Sequence, residues 1–316
     1  MENQRDRTKK FIIENMIYIF VVVLFVISAI SSKNFIKPVN LANLIRQYTP
    51  YTLLSMGMLV VLLTGGIDLS VGSVVAFNNV IFAILVTSKG MGTGTAIILT
   101  LLIGIGVGAV NGYLIAFRKL PPFIATLATM SIFESMSFVV TNAKSIRYES
   151  AGLKTFGKLG FIVGDVVIPL QLFVIAIVIF LFWFMLNKTA FGRLIYATGS
   201  NSQAVVLSGI NHKVILFSVY CISGLCAAAS ALVSLSRMNV ATSTLGSGYE
   251  MDAIASCVIG GVCMTGGKGS AVKTLCGVFI LAMIGNIMNL LGIPNYPQNA
   301  IKGVIIILAV MFQDNK

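Results

Sequence analysis

Ten strongly apolar segments, separated by short polar or glycine-rich stretches, run through the 316-residue chain. They cover residues 11–30, 51–64, 70–87, 95–117, 121–140, 167–186, 214–235, 250–264, 270–291 and 298–312. A helix perpendicular to a bilayer needs about 20 residues, so most segments have spanning length, and the second, eighth and tenth are short. The pattern predicts an all-α polytopic membrane protein with about ten transmembrane helices, folded as a single transmembrane domain over residues 1–316.

The second and third segments are separated by an unusual polar break, Thr-Gly-Gly-Ile-Asp-Leu-Ser-Val-Gly-Ser at residues 64–73. In hydrocarbon an unpaired backbone group costs several kcal/mol, so a broken helix survives only inside protein or beside water. Discontinuous helices of this kind often mark transporter sites. Two compatible interpretations stay open: Asp68 caps a helix at a tight turn, or it lines a substrate path.

A similar glycine-rich string, Gly-Gly-Val-Cys-Met-Thr-Gly-Gly-Lys-Gly-Ser, occupies residues 260–270 in the second half of the chain. Two halves of five spans each have opposite topology, because five is odd. Paired glycine breaks are the expected sign of such inverted repeats. We therefore expect two inverted five-helix repeats with glycine-broken helices.

Residues 34–49 are half apolar and half polar, with Leu41, Leu44 and Ile45 at helical spacing. An amphipathic segment of this composition is typical of a helix that lies in the membrane interface. The pattern predicts a short helix on the outer surface, separate from the second span.

Composition supports the membrane assignment and excludes several other classes. The chain is 57% hydrophobic and 10% charged, whereas a soluble domain carries about 25% charged residues. The net charge of +12 is spread over loops and ends, which suits anionic lipid headgroups rather than nucleic acid. Five scattered cysteines and one histidine give no metal site. The basic residues 1–10 predict a cytoplasmic N-terminal end and a retained first span.

Polar side chains inside the apolar segments are the candidates for a substrate path, because such groups are expensive in a bilayer. The candidates are Asp68, Ser70, Asn78, Asn111, Glu134, Asn286 and Asn289. Amides both donate and accept hydrogen bonds, which suits a solute rich in hydroxyl groups. Asn286 and Asn289 are three residues apart, so both can face one cavity. The alternative is that these side chains hydrogen-bond neighbouring helices.

The polar loop at residues 187–213 is predicted to contain a short helix, residues 202–207. Asn201 can cap its start and Gly209 can end it. A short helix held between two spans can dock onto another protein.

Three blocks of the chain resemble the permease subunits of ribose-type ABC importers, a family that also carries other monosaccharides, autoinducer-2 and nucleosides. The blocks are LTGGIDLSVGS at 63–73, YATGSNSQAVVLSGI at 196–210 and IGGVCMTGGKGS at 259–270. The family usually has an acidic residue and Ala-Ala after Asn201, where this chain has Ser-Gln-Ala-Val.

The resemblance implies about ten spans, a second permease subunit, a pair of cytoplasmic ATPase subunits that bind the ATP, and an extracytoplasmic solute-binding protein. It also implies that residues 187–213 form the cytoplasmic coupling loop. Its expected ATPase-coupling residues are Gly199, Asn201, Ala204, Leu207, Ser208, Gly209 and Ile210.

No ATP-hydrolysing motif and no enzyme site is apparent in the sequence. A P-loop needs Gly-x4-Gly-Lys-Ser/Thr, and the nearest string has Val262 at the first glycine position and Gly269 after Lys268. We expect no cofactor in this chain. The main interpretation is an importer permease for a pentose or related sugar, located in the bacterial cytoplasmic membrane with both termini cytoplasmic. The alternatives are a proton-coupled secondary transporter that uses the intramembrane acids, and a structural subunit or channel.

Overall fold

The computed structural model describes residues 4–163 and 166–313 and shows a helical bundle. Residues 1–3 of the predicted cytoplasmic end 1–10 lie outside the described residues. The helices are α1 (Gln4–Ser31), α2 (Pro38–Leu63), α3 (Val71–Thr87), α4 (Thr93–Ala116), α5 (Pro122–Thr141), α6 (Ala151–Lys158), α7 (Gln171–Lys188), α8 (Ala190–Ser200), α9 (Ser202–Leu207), α10 (His212–Arg237), α11 (Tyr249–Ile259), α12 (Ala271–Leu290) and α13 (Asn295–Gln313). Two short antiparallel strand pairs accompany them: β1 (Ile146–Arg147) with β4 (Val240–Ala241), and β2 (Gly160–Val163) with β3 (Val166–Pro169).

Each of the ten predicted apolar segments coincides with a helix, and α6, α8 and α9 are additional. In the described part of the chain, five helices are long and apolar enough to cross a membrane: α4, α5, α7, α10 and α12. Residues 15–31 of α1 and the whole of α3 are shorter apolar helices. The chain is therefore an all-α polytopic membrane protein, as predicted.

The second span is longer than predicted. Residues 38–63 form the continuous helix α2 with Pro50 in its interior, so the separate surface helix over 34–49 is wrong. The apolar face of this segment is covered by protein rather than lipid headgroups, because Leu44 clusters with Ala282 and Met283 of α12. The last eleven residues of α2, from Leu53 to Leu63, are buried and place this helix at the centre of the bundle.

The packing around α2 and α10 relates the two halves of the chain. α2 packs against α10, α11 and α12, and α10 packs against α2, α3 and α4. These two helices are the second spans of their halves, so each contacts the third and fourth spans of the other half. The α4–α10 contact requires glycine, because a Cβ on Gly224 would lie 2.1 Å from the carbonyl oxygen of Gly104.

The two glycine-rich strings are not equivalent positions of a repeat. The break at 64–70 follows the second span of its half, whereas residues 260–270 follow the third span of theirs. The strings also meet, since the Gly267 amide donates to the Leu63 carbonyl oxygen at 2.9 Å. Inverted halves would place equivalent loops at opposite ends, so the predicted pairing of these two strings is wrong.

The bundle has two ends that carry different structures. One end, which we call the coupling end because it holds the predicted coupling loop at residues 187–213, contains the break after α2, the helices α8 and α9, and the loop between α11 and α12. The opposite end contains α6 and the short strand pairs. There the Arg46 guanidinium donates to the Lys158 carbonyl oxygen at 3.3 Å, and the Thr93 and Ser150 hydroxyls are 2.9 Å apart.

Candidate translocation and coupling site

Asp68 lies at the centre of a buried hydrogen-bond network. Its Oδ1 accepts from the Ser70 amide at 3.1 Å and from the Ser70 hydroxyl at 2.6 Å, and its Oδ2 accepts from the Ser223 hydroxyl at 2.8 Å. The network continues because Asn111 Nδ2 donates to Ser70 Oγ at 2.8 Å and Thr129 Oγ1 donates to Asn111 Oδ1 at 2.7 Å. All five residues are buried, so three of the predicted path residues are brought together in one place.

This arrangement does more than cap a helix. The first residue before α3 is Ser70, which makes no capping bond with its own side chain. Asp68 instead ties the break to α10 through Ser223 and, through Ser70 and Asn111, to α4 and α5. A carboxylate offers only acceptors when it is ionised, and Ser70 and Ser223 together supply three donors to it. The network therefore fixes the position of four helices around the break.

Asn78 and Asn79 are both fully buried on α3. Asn78 Nδ2 donates to the Val74 carbonyl oxygen of its own helix at 2.9 Å. Asn79 Nδ2 donates to the Thr242 carbonyl oxygen at 2.6 Å. Asn79, which was not among the predicted site residues, thus holds the segment between α10 and α11 against α3.

Asn286 and Asn289 do not face one cavity. Asn286 exchanges two hydrogen bonds with Asn40 of α2, at 3.0 and 3.1 Å. Asn289 is exposed and its Oδ1 accepts from Gln298 Nε2 at 2.8 Å. These amides join α12 to α2 and α13. They therefore follow the alternative interpretation, in which the side chains hydrogen-bond neighbouring helices.

Glu134 lies on an exposed face of α5, together with Ser131 and Ser135 at helical spacing. Its carboxylate is close enough to Glu250 of α11 to interact electrostatically. An acid exposed in the middle of a span is costly in lipid and is normally covered by protein or water. This face of α5 is therefore unsuited to direct contact with acyl chains.

Three loops meet at the coupling end through close backbone contacts. A Cβ on Gly199 of α8 would lie 1.9 Å from the Leu63 carbonyl oxygen and 2.6 Å from the Gly267 amide. The backbone around Gly266 approaches Gly65 in the same way, with a Cβ-to-amide distance of 2.9 Å. The Tyr196 hydroxyl donates to the Gly269 carbonyl oxygen at 2.9 Å. We call this contact of α8 with both glycine loops the glycine junction.

The predicted short helix is present as α9, although α8, directly before it, was not predicted as a helix. Asn201 Oδ1 accepts from the Ala204 amide at 3.0 Å, which is the capping bond expected at the start. Gly209 has φ +76°, and the Ile210 amide donates to the Val205 carbonyl oxygen at 3.3 Å, which ends the helix in a Schellman-like turn. The Ser208 hydroxyl donates to the Ala204 carbonyl oxygen at 2.9 Å.

α9 presents an apolar surface outside the bundle. Leu207 is 88% exposed and Val206 is 49% exposed. The helix has only six residues and begins with the polar Ser202 and Gln203, and Ser208 follows it directly. Adjacent exposed apolar side chains of this kind are suited to contact with a partner protein.

Sequence reasoning missed a group of polar and aromatic side chains at the opposite end. The group comprises Gln47, Tyr51, Ser234, Arg237 and Tyr249, which line one cavity. These residues come from three helices and are far apart in the sequence, so no local motif marks them. In the residues that the structure describes, no group of three or more His, Cys, Asp or Glu side chains could hold a metal ion.

Comparison with known proteins places the chain among transport permeases. The model of the family described as "Branched-chain amino acid transport system / permease component" matches residues 40–310. The comparison with solved structures finds no match.

Curated relatives match the chain over nearly its whole length. The ribose import permease protein RbsC of Bacillus subtilis (strain 168) is 38% identical, over 93% of this chain and 90% of the relative. RbsC of Escherichia coli (strain K12) is 37% identical, over 100% of this chain and 98% of the relative. The galactose/methyl galactoside import permease protein MglC of Escherichia coli (strain K12) is 33% identical, over 96% and 94%. The chain therefore belongs to the family of ribose-type ABC importer permeases. It is a multi-pass membrane subunit of a transporter in which ATP is hydrolysed on a separate subunit.

Proposed function

We propose that this protein is the permease of a sugar importer and that its solute is a pentose or a related neutral sugar. The observation that carries the proposal is the identity of 37–38% to ribose import permeases over almost the full length of the chain. The whole chain acts as one transmembrane permease domain. Membership of the importer family favours this function over proton-coupled transport through the intramembrane acids.

The proposed ATPase contact is α9 with its exposed Leu207. Movement of an ATPase subunit would reach the spans through the glycine junction, because α8 contacts the ends of α2 and of the α11–α12 loop. In this proposal α9 and both termini lie in the cytoplasm of a bacterial cell, and the opposite end of the bundle faces the solute-binding protein. ATP binds the ATPase subunits, and this chain carries no cofactor.

The proposed substrate path runs beside the exposed face of α5, where Ser131, Glu134 and Ser135 lie. A second permease subunit, either another copy or a related chain, covers this face and leaves a hydrated passage between the two subunits. The network of Asp68, Ser70 and Asn111 stabilises the path indirectly, because it fixes the positions of α3, α4 and α5. The other candidates form hydrogen bonds within the subunit: Asn78, Asn286 and Asn289.

Uptake by proteoliposomes tests this function. The permease, its ATPase and its solute-binding protein are reconstituted together, and uptake of radiolabelled D-ribose, D-xylose and D-galactose is measured. We expect import that requires ATP and persists when an uncoupler collapses the proton gradient. Uptake that follows an imposed proton gradient without ATP would instead establish the secondary transporter.

Thiol labelling tests the orientation. Single cysteines at Ser202 in α9 and Thr155 in α6, in a cysteine-free background, should react with an impermeant reagent from opposite sides of the membrane. Thr155 is exposed, whereas a Cβ at nearby Gly157 would lie 1.9 Å from the Ser236 carbonyl oxygen and disturb the fold. Labelling of Ser202→Cys from outside intact cells would reverse the proposed topology.

A further inference from the structure

A polar cavity opens at the opposite end, between α2, the last turns of α10 and the first turn of α11. Its volume is about 360 Å³, within the range of roughly 300–1,000 Å³ for small-molecule pockets. Its lining consists of Gln47, Pro50, Tyr51, Ser234, Arg237, Met238 and Tyr249. We call this cavity the outer vestibule.

Three hydroxyl groups form one wall of the outer vestibule. The rings of Tyr51 and Tyr249 are 4.5 Å apart between centroids and inclined by 45°. The Tyr249 hydroxyl is near those of Tyr51 and Ser234. Ser234 is only 6% exposed, and its hydroxyl oxygen is covered beside the Tyr249 hydroxyl. The Tyr249 hydroxyl is thus held at the cavity wall by the neighbouring hydroxyls of Tyr51 and Ser234.

The rim of the outer vestibule carries one side chain with strong hydrogen-bond donors and one that both donates and accepts. Arg237 is exposed and forms no ion pair with any described carboxylate, so its five N–H donors are available. Gln47, also exposed, offers both a carbonyl oxygen and an amide group. The nearby acid Asp252 is already paired with Lys302 at 2.9 Å. The cavity thus lacks a free carboxylate for a cation.

The donors and acceptors of these side chains match a neutral ligand that carries several hydroxyl groups. Each hydroxyl of such a ligand both donates and accepts, as Tyr, Ser and Gln side chains do. The tyrosine rings add apolar faces for the C–H groups of a sugar ring, since tyrosine combines an apolar body with a polar end. A purely apolar ligand would leave the polar groups of Arg237 and Gln47 unpaired.

We propose that the outer vestibule binds the sugar as it leaves the solute-binding protein, with Tyr249, Arg237 and Gln47 as its hydrogen-bonding partners and Ser234 as the residue that positions the Tyr249 hydroxyl. This inference rests on the proposed import of a neutral sugar. It assigns specificity to the permease itself, before the solute reaches the α5 face.

The test uses the reconstituted complex of permease, ATPase and binding protein, with Tyr249→Phe and Ser234→Ala as hydroxyl deletions. Tyr113→Phe is the matched control, because Tyr113 is an exposed tyrosine on α4, near the coupling end. Two quantities are measured: D-ribose imported per ATP hydrolysed, and the concentration of ribose-loaded binding protein that half-maximally stimulates the ATPase. We expect import per ATP to fall roughly threefold to tenfold in each deletion, as for the loss of one hydrogen bond, with unchanged half-maximal stimulation.

Two results would overturn the inference. Import per ATP equal to that of Tyr113→Phe would show that the vestibule hydroxyls do not contact the sugar. A shift of half-maximal stimulation alone, with normal import per ATP at saturating binding protein, would make this surface a docking site for that protein. Failure of the proposed function is recognised separately, because the wild-type complex would then import none of the sugars.

Discussion

The glycine junction predicts that one added methyl group at Gly199 uncouples ATP hydrolysis from transport. In Gly199→Ala, the new Cβ would lie 1.9 Å from the Leu63 carbonyl oxygen, whereas ordinary contact begins at 3.4 Å. The helix α8 must therefore move away from the end of α2 by about 1.5 Å. The same movement weakens the 2.9 Å bond between the Gly267 amide and the Leu63 carbonyl oxygen.

The energetic cost follows from these two effects. Overpacking costs about 1–3 kcal/mol, and the lost hydrogen bond adds about 1 kcal/mol. If the subunit stays folded, α8 is displaced and no longer transmits movement to α2 and to the α11–α12 loop. Gly106→Ala is the matched control, since a Cβ on Gly106 in α4 meets nothing within 4 Å and alanine favours the helix.

The assay is sugar imported per ATP hydrolysed in the reconstituted complex, with thermal unfolding measured in parallel. A thiol-reactive dye reports unfolding, because Cys226 and Cys257 are buried in the folded chain. We expect Gly199→Ala to lower the unfolding temperature and to reduce import per ATP several-fold, while Gly106→Ala matches the wild type in coupling. Wild-type coupling and stability in Gly199→Ala would refute the role of the junction.

Three further changes test other contacts. Asp68→Ala removes the carboxylate oxygen that accepts from the Ser223 hydroxyl and should destabilise the subunit by about 1–3 kcal/mol for each donor left unpaired. Asp68→Asn keeps an acceptor, so near-normal uptake at matched membrane abundance would show that transport does not need the charge. Gly209→Val should uncouple ATP hydrolysis by straining the +76° φ that ends α9, and unchanged import per ATP would contradict this. Lys302→Met leaves the carboxylate of Asp252 without its cation at 2.9 Å and should lower the unfolding temperature more than the double change Lys302→Met with Asp252→Leu. Equal loss in both would show that the unpaired Asp252 carboxylate carries no penalty.

The sequence alone was sufficient to place ten apolar helices, with most of their bounds, along the chain. Hydrophobic runs of spanning length must form helices in lipid, because only internal hydrogen bonding satisfies the backbone there. It also located α9, since the capping Asn201 and the terminating Gly209 act within one or two turns of the chain. The division between α2 and a surface helix failed because the same amphipathic pattern suits a lipid interface and the contact of Leu44 with α12.

The roles of the intramembrane polar residues were decided only by the tertiary structure. Asp68, Asn286 and Glu134 look alike in sequence, as polar groups within apolar runs, yet the first bonds to Ser223 of α10, the second bonds to Asn40 of α2, and the third is exposed. The outer vestibule and the glycine junction likewise join residues from helices that are far apart along the chain. Local composition fixes which residues enter the membrane, because transfer free energy depends on each side chain; their partners depend on helix packing, which brings distant residues into contact.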